Sequence, residues 1–450
     1  MTQLNYRYLL QVTLETIAPL QIGSGVKGIK TDSLVVRDVN NLPFIPGTTL
    51  AGLIAHSVGT EKERLMGSQQ EGSRLIVTEA KLLNKHGGVM DGLVDYSRLN
   101  DENKAFLNYY EQLPIRQHVR INHKGTAENT MLFSEEVVLK GSRFCFEMEL
   151  LSDVDASSDV DMLLAAIQSP TFRIGSGSRS GYGEIKVVKC LRKNINLTIE
   201  HDRSMYLEKS SQLGSSWEGW QDVTGTLKQP SCVGWTCYRL NLRPEDFVLF
   251  GSGFGDSFGE ADMTYVRENL IVWDDTQDTP VGMMVEQEKT ILIPASSVKG
   301  ALSHRTAFHY NRLTGKDSVG KSNAAVQAIF GSEREKDKQK AKCRGNILIS
   351  DVIQLKAETT MPKILNHVSV DRFTGGAIDG ALFTEQTLYA KGDSFNIDLM
   401  IANEAFPEDN KNIQTAFEAA LHDITSGMLP LGGGVNRGNG IFVGKVTKYN

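Results

Sequence analysis

Apolar and polar residues alternate from Tyr8 to Glu15, the period-2 mark of a half-buried strand. A glycine loop and a short strand at Ser33–Arg37 follow. Pro46, Gly47, Thr48 and Thr49 then open a helix, with threonine expected as its N-cap. Arg74–Glu79 reads as strand, Glu136–Leu150 as one long strand, Val160–Gln168 as helix, and Glu184–Lys189 as a closing strand. Strand, helix, strand, then strand, helix, strand is the ferredoxin-like order, shared with the RNA recognition motif. The predicted class is α+β.

The whole pattern occurs twice. "LQIGSGVKGIKTDSLVVRD" is answered by "VLFGSGFGDSFGEADMTYVRE", and "FIPGTTLAGLIAHS" by "LIPASSVKGALSHR". "RLMGSQQEGSRLIVTEA", "HVRINHKGTAENTMLFSEE" and "RIGSGSRSGYGEIKV" have counterparts in the same order. Five ordered pairs mark a tandem duplication. The boundaries predicted are residues 1–190 for the first repeat, 191–236 for a linker and 237–450 for the second repeat. Trp217, Trp220 and Trp235 give the polar linker something to bury, so some structure of its own is expected there.

A chain of 450 residues accommodates two such domains, and 40% hydrophobic with 23% charged residues suits a globular protein. No apolar run reaches the roughly 18 residues of a membrane span. The polar start, Met1 to Arg7, leads straight into a strand, so no signal peptide and a cytoplasmic location are expected. Five scattered cysteines fit a reducing compartment. Cys232 and Cys237 would supply half a zinc site, without a second pair to complete it.

The net charge of −6 runs against a nucleic-acid binder, but positive residues cluster locally. Lys27, Lys30 and Arg37 sit near one glycine loop; Arg116, Arg120, His123 and Lys124 near a predicted hairpin; a basic run spans Arg334 to Arg344. The glycine clusters 175–183 and 432–440 precede strands, so they are not dinucleotide fingerprints. They serve either as tight turns or, with Arg179 and Arg437 embedded, as contacts to an RNA backbone. Thr48, Thr49, Ser296 and Ser297 put hydroxyls and free amides at helix starts, a natural phosphate site unless they only cap. Lys299 adds charge there, where the first repeat has Ala51.

Asp32 and Asp262 occupy matching places in "TDSLVVRD" and "ADMTYVRE", although loop aspartates commonly just form turns. Asp256 and Asp246 compete for the second position. His118 matches His367, and His56 matches His304; each pair suits packing as well as acid–base chemistry.

"IPGTTLAGL", "IPASSVKGA", the FGS-like turns, the "HVSVDRFTGGA" hairpin and the terminal glycine loops resemble the RAMP (repeat-associated mysterious protein) superfamily. More narrowly they resemble backbone subunits of type III CRISPR effectors, duplicated here as in type III-D variants. The resemblance implies two ferredoxin-like domains with thumb-like hairpins, at His118–Glu135 and His367–Glu385. It implies binding to guide RNA and target single-stranded RNA beside other backbone and large subunits, with no membrane role. The RNA-contacting set would be Thr48, Thr49, Ser296, Ser297, Lys299, Arg179, Arg437, His118, Arg120, His367 and Arg372. Asp32 and Asp262 would cut target RNA and hold a divalent metal, magnesium. Ala51 departs from the lysine the family favours, and the insertion Asn269–Lys289 interrupts the second repeat. Two other functions compete: a non-catalytic guide-RNA scaffold, and a guide-precursor ribonuclease relying on His56 or His304.

Overall fold

The computed structural model describes residues 4–29, 31–122, 124–227, 232–255, 259–277, 279–331 and 344–449. Lys30, His123, Asp256 and nearly all of the Arg334–Arg344 run lie outside them. The first unit contains β1 (Tyr6–Thr16), α1 (Gly47–Ser57), β2 (Leu75–Val77), β3 (Ile115–Ile121), β4 (Ala127–Glu136), β5 (Arg143–Ser152), α2 (Ser157–Gln168) and β6 (Ile185–Asn196). The second contains β7 (Trp235–Pro244), α3 (Ala295–Thr314), β8 (Ile347–Ile349), β9 (Met361–Val370), β10 (Ala377–Tyr389), β11 (Phe395–Ala402), α4 (Asn412–Thr425) and β12 (Phe442–Tyr449).

Each unit has one antiparallel sheet of the same topology. The strand order is β2-β5-β1-β6 in the first and β8-β11-β7-β12 in the second. Both are ferredoxin-like, as expected from the element order.

The alternation in β1 sends Tyr8, Leu10, Val12 and Leu14 inward. They meet Leu50 and Ile54 of α1 and Val160, Leu163 and Ile167 of α2. In α4, Ile413, Ala416, Phe417, Ala420, Leu421 and Ile424 form a stripe at helical spacing and cover Tyr238, Leu240 and Leu242. Each fully buried leucine or phenylalanine contributes about 1.5–3 kcal/mol.

Three expectations need correction. The Ser33–Arg37 segment makes single bridges, Ser33 to Glu135 and Val35 to Gly23, rather than a strand. The run Glu136–Leu150 is not one strand: β4 ends at Glu136, residues 137–142 make only isolated bridges, and β5 begins at Arg143. Gly141 lies in that gap, with a φ of 85° at which a Cβ would strike the backbone of Ile271 from the other unit. Neither threonine caps α1. The N-caps of α1 and α3 are Pro46 and Pro294, which have no side-chain donor or acceptor, so Thr48 and Thr49 lie inside the first turn.

Strand β6 runs on past residue 190 to Asn196, so the linker begins later than the sequence suggests. The linker then folds over the first sheet's open face. Tyr206 OH donates to Glu149 (2.8 Å), Lys209 Nζ to Glu147 (2.6 Å) and Gln11 Nε2 to Leu213 O (2.9 Å). Trp217 and Trp220 pack edge to face at 5.1 Å.

The insertion in the second unit is a hairpin, Leu270–Asp274 with Val281–Val285, that clasps the first unit. Arg143 makes two 2.7 Å bonds to Asp275, its guanidinium lies 4.3 Å from the Trp273 ring, and Trp273 Nε1 donates to Gly141 O (2.7 Å). Beside the clasp, Arg116 pairs with Glu268 and, at 3.1 Å, with Asp351. All three are buried.

Candidate functional site

In both units the second strand of the long hairpin is gripped by an aspartate from the loop after the first sheet strand. Asp32 N–H donates to Ser134 O (3.0 Å), and Asp32 Oδ2 accepts from Ser134 N (3.0 Å). Asp262 N–H donates to Thr384 O (3.0 Å), and Asp262 Oδ2 accepts from Thr384 N (2.7 Å) and Thr384 Oγ1 (3.0 Å). Both aspartates are exposed. The match makes Asp262, rather than Asp246, the counterpart of Asp32.

One residue along from each grip, the hairpin carries a histidine–glutamate pair. His118 Nε2 lies 3.0 Å from Glu135 Oε1 and 2.8 Å from the Tyr182 hydroxyl, and its ring stacks on Phe133 at 4.8 Å. His367 Nε2 lies 3.1 Å from Glu385 Oε2, out of line for a hydrogen bond, and stacks on Phe383 at 4.8 Å. Phe133, Ser134 and Tyr182 are not among the site residues expected from the sequence, and Glu135 is named there only as the end of a hairpin. The paired "LFSEE" and "LFTEQ" strings are the signal that would have found Phe133, Ser134 and Glu135.

Beyond these pairs the hairpins run out exposed and apolar. Val119, Ile121, Leu132 and Phe133 face outward on the first; Val368, Val370, Phe373 and Leu382 do so on the second. Phe373 is fully open at the tip beside exposed Arg372. Arg120 pairs with Glu128 at 3.1 Å across the first hairpin.

A cleft of about 1490 Å³ lies between the first hairpin and the second unit. Its walls include His118 and Arg120 from one side, and Ser296, Ser297, Lys299 and His304 from the other. Gly432 and Gly433 close it. Lys299 Nζ donates to Arg179 O (2.9 Å), and Arg179 Nε donates to Gly345 O (2.7 Å). Burial, with Arg179 nearby, pushes the Lys299 amine down to about 8. Burial, with Arg344 and Arg173 nearby, pushes Arg179 down to about 10. Crowded cations that are partly stripped of water favour an anion.

Other predicted residues are placed differently. Ala295 N, the first amide of α3, already donates to Asp351 Oδ1 (2.7 Å) and Ser297 N to Pro294 O (3.1 Å), so the helix start offers the Ser296 amide and the two serine hydroxyls. In the first unit, Thr48 and Thr49 are away from that cleft's lining, and His56 is exposed. Arg437 does not correspond to Arg179. Ile174 N donates to Gly183 O and Leu431 N to Gly440 O, both 2.9 Å, a register that aligns Arg179 with Asn436. Arg437 instead pairs with Glu385 and lies 5.5 Å from the Phe383 ring.

No group of three or more metal-ligating side chains occurs among the described residues. Among the described residues the hairpin engages one carboxylate oxygen, Oδ2, of each aspartate. That donor set fits an ion shared with a bound phosphate, the usual habit of magnesium, and not a protein-only cage.

A family model of the RAMP superfamily matches residues 13–186 and 283–443. The second match begins beyond Asp262, whose equivalence to Asp32 rests on the paired geometry. Among curated proteins there is no match.

Proposed function

The chain belongs to the RAMP superfamily of CRISPR-associated RNA-binding proteins, and from that premise we propose that it is a double backbone subunit of a type III effector, cutting guide-matched target RNA once per repeat. The carrying observation is the repeated grip of Asp32 on Ser134 and of Asp262 on Thr384. It holds two exposed carboxylates in the same pose at the base of two exposed hairpins.

Guide RNA would lie along the cleft, with Lys299, the Ser296 amide and the serine hydroxyls at the start of α3 on its phosphates. The apolar hairpins would enter the guide–target duplex and splay a target nucleotide at each. The carboxylate would orient the 2′-hydroxyl of that nucleotide and take its proton as the oxygen attacks the adjacent phosphorus in line; the P–O5′ bond would break, leaving a 2′,3′-cyclic phosphate and a 5′-oxygen protonated by water. Asp32 and Asp262 would hold magnesium together with RNA oxygens. The ion would supply neutralisation of charge on the phosphate.

The scaffold reading is favoured by one observation: both carboxylates already have a structural task on the hairpin. Assembled complex carrying labelled target RNA separates the two. Two cuts that map to this chain support the nuclease; intact target in the presence of magnesium supports the scaffold.

A further inference from the structure

The seam between the units is head to tail: the glycine loop and hairpin of the first unit rest on the sheet edge of the second. Gly181 bridges to Ser350, and Asp351 N donates to Gly181 O (3.0 Å). Arg173 Nη1 donates to Ser350 Oγ (2.7 Å), Arg179 reaches Gly345 O, and Arg116 reaches Asp351. A heterologous contact of this kind leaves one unfilled copy of each surface at the two ends of the chain.

On the first unit the unfilled edge is Thr78–Glu79, aligned with Ser350–Asp351. Ala80 pairs with Ile45 as Val352 pairs with Ile293. The Glu79 side chain is 51% exposed, where that of Asp351 is 1% exposed, and among the described residues it pairs with Lys81 alone. Asp38, the counterpart of Glu268, is spent on its own turn, accepting from Asn40 N and Leu42 N.

The unfilled tongue on the second unit does not match that edge. In the hairpin register Arg116 faces Glu135 as Leu365 faces Glu385, so leucine stands where the buried arginine anchors the seam. Pro430 and Asn436 stand in place of Arg173 and Arg179. All three cationic anchors are missing.

The geometry points to an interaction surface at Thr78–Glu79 that receives the tongue of a different subunit of this fold. That subunit would carry arginines at the Arg116 and Arg179 positions; a second copy of this chain lacks them. The inference concerns assembly and is independent of whether Asp32 or Asp262 cuts.

Sedimentation of the RNA-free full chain over a broad concentration range tests it. The wild type should remain a single chain. The double variant L365R/N436R should self-associate, and adding Glu79→Lys should return it to one chain. If L365R unfolds, judged by circular dichroism, N436R alone on its exposed loop should still associate measurably more than wild type. A concentration-dependent ladder from the wild type would overturn the different-subunit assignment. Folded arginine variants that stay single would overturn the surface itself.

Discussion

The Asp262 carboxylate accepts a 2.7 Å hydrogen bond from the backbone N–H of Thr384, and 230 positions earlier Asp32 does the same, at 3.0 Å, to Ser134. The contact does two jobs that mutation can separate. Its hydrogen bond needs an oxygen acceptor on the side chain. Its proposed chemistry needs a negative charge.

Asp32→Asn and Asp262→Asn should therefore keep the hairpins docked and lose the cuts. Removing a catalytic base costs about 10²–10⁴ in rate, so each variant should erase one of two product bands. Target binding should persist. Asparagine variants that cut normally while the alanine variants fail would assign the aspartates a purely structural role.

Binding of guide RNA should weaken as pH rises through about 8, where the Lys299 ammonium loses its proton. Burial lowers this amine, so the charged form that attracts phosphate is present below that pH and lost above it. Lys299→Arg should flatten the dependence. Lys299→Ala should lower the salt slope of single-stranded RNA binding by about 0.7, equally for unrelated guides. A loss confined to one guide would mean the lysine reads bases.

Arg116→Ala would leave Glu268 and Asp351 buried without their cation. Breaking such a pair costs about 3–5 kcal/mol, readable as a fall in the urea midpoint. Asp275→Ala, at the exposed end of the clasp, should cost about 1 kcal/mol or less. Equal effects would show that the triad does not hold the seam.

Phe373→Ala should reduce affinity for a guide–target duplex about 5- to 150-fold, the equivalent of one aromatic–base stack of about 1–3 kcal/mol. Binding of single-stranded guide should be unchanged. Equal loss for both RNAs would place Phe373 on the guide path.

Much of the molecule was legible in the chain. The duplication, the α+β class, the two ferredoxin-like orders and the inward faces of β1 and α4 follow from short-range periodicity, because a sheet or helix buries one face. The pairing of Asp32 with Asp262 was legible too, since both repeats follow the aspartate with Val-Arg and an acid at the same spacing. What lay between the units was not. The residues of the Arg116–Glu268–Asp351 triad stand far apart in sequence, and no local pattern says which charges lose their water. The one-residue offset of Arg437 from Arg179 needed the loop hydrogen bonds, because glycine-rich strings align almost equally well in several registers. The continuous apolar run through Val137, Val138 and Leu139 hid the gap between β4 and β5, where the chain makes isolated bridges to Leu20 and to Leu270 of the other unit. Local periodicity determined each unit; the approach of two backbones and the burial of three charges, which only the folded chain brings together, decided how the units join.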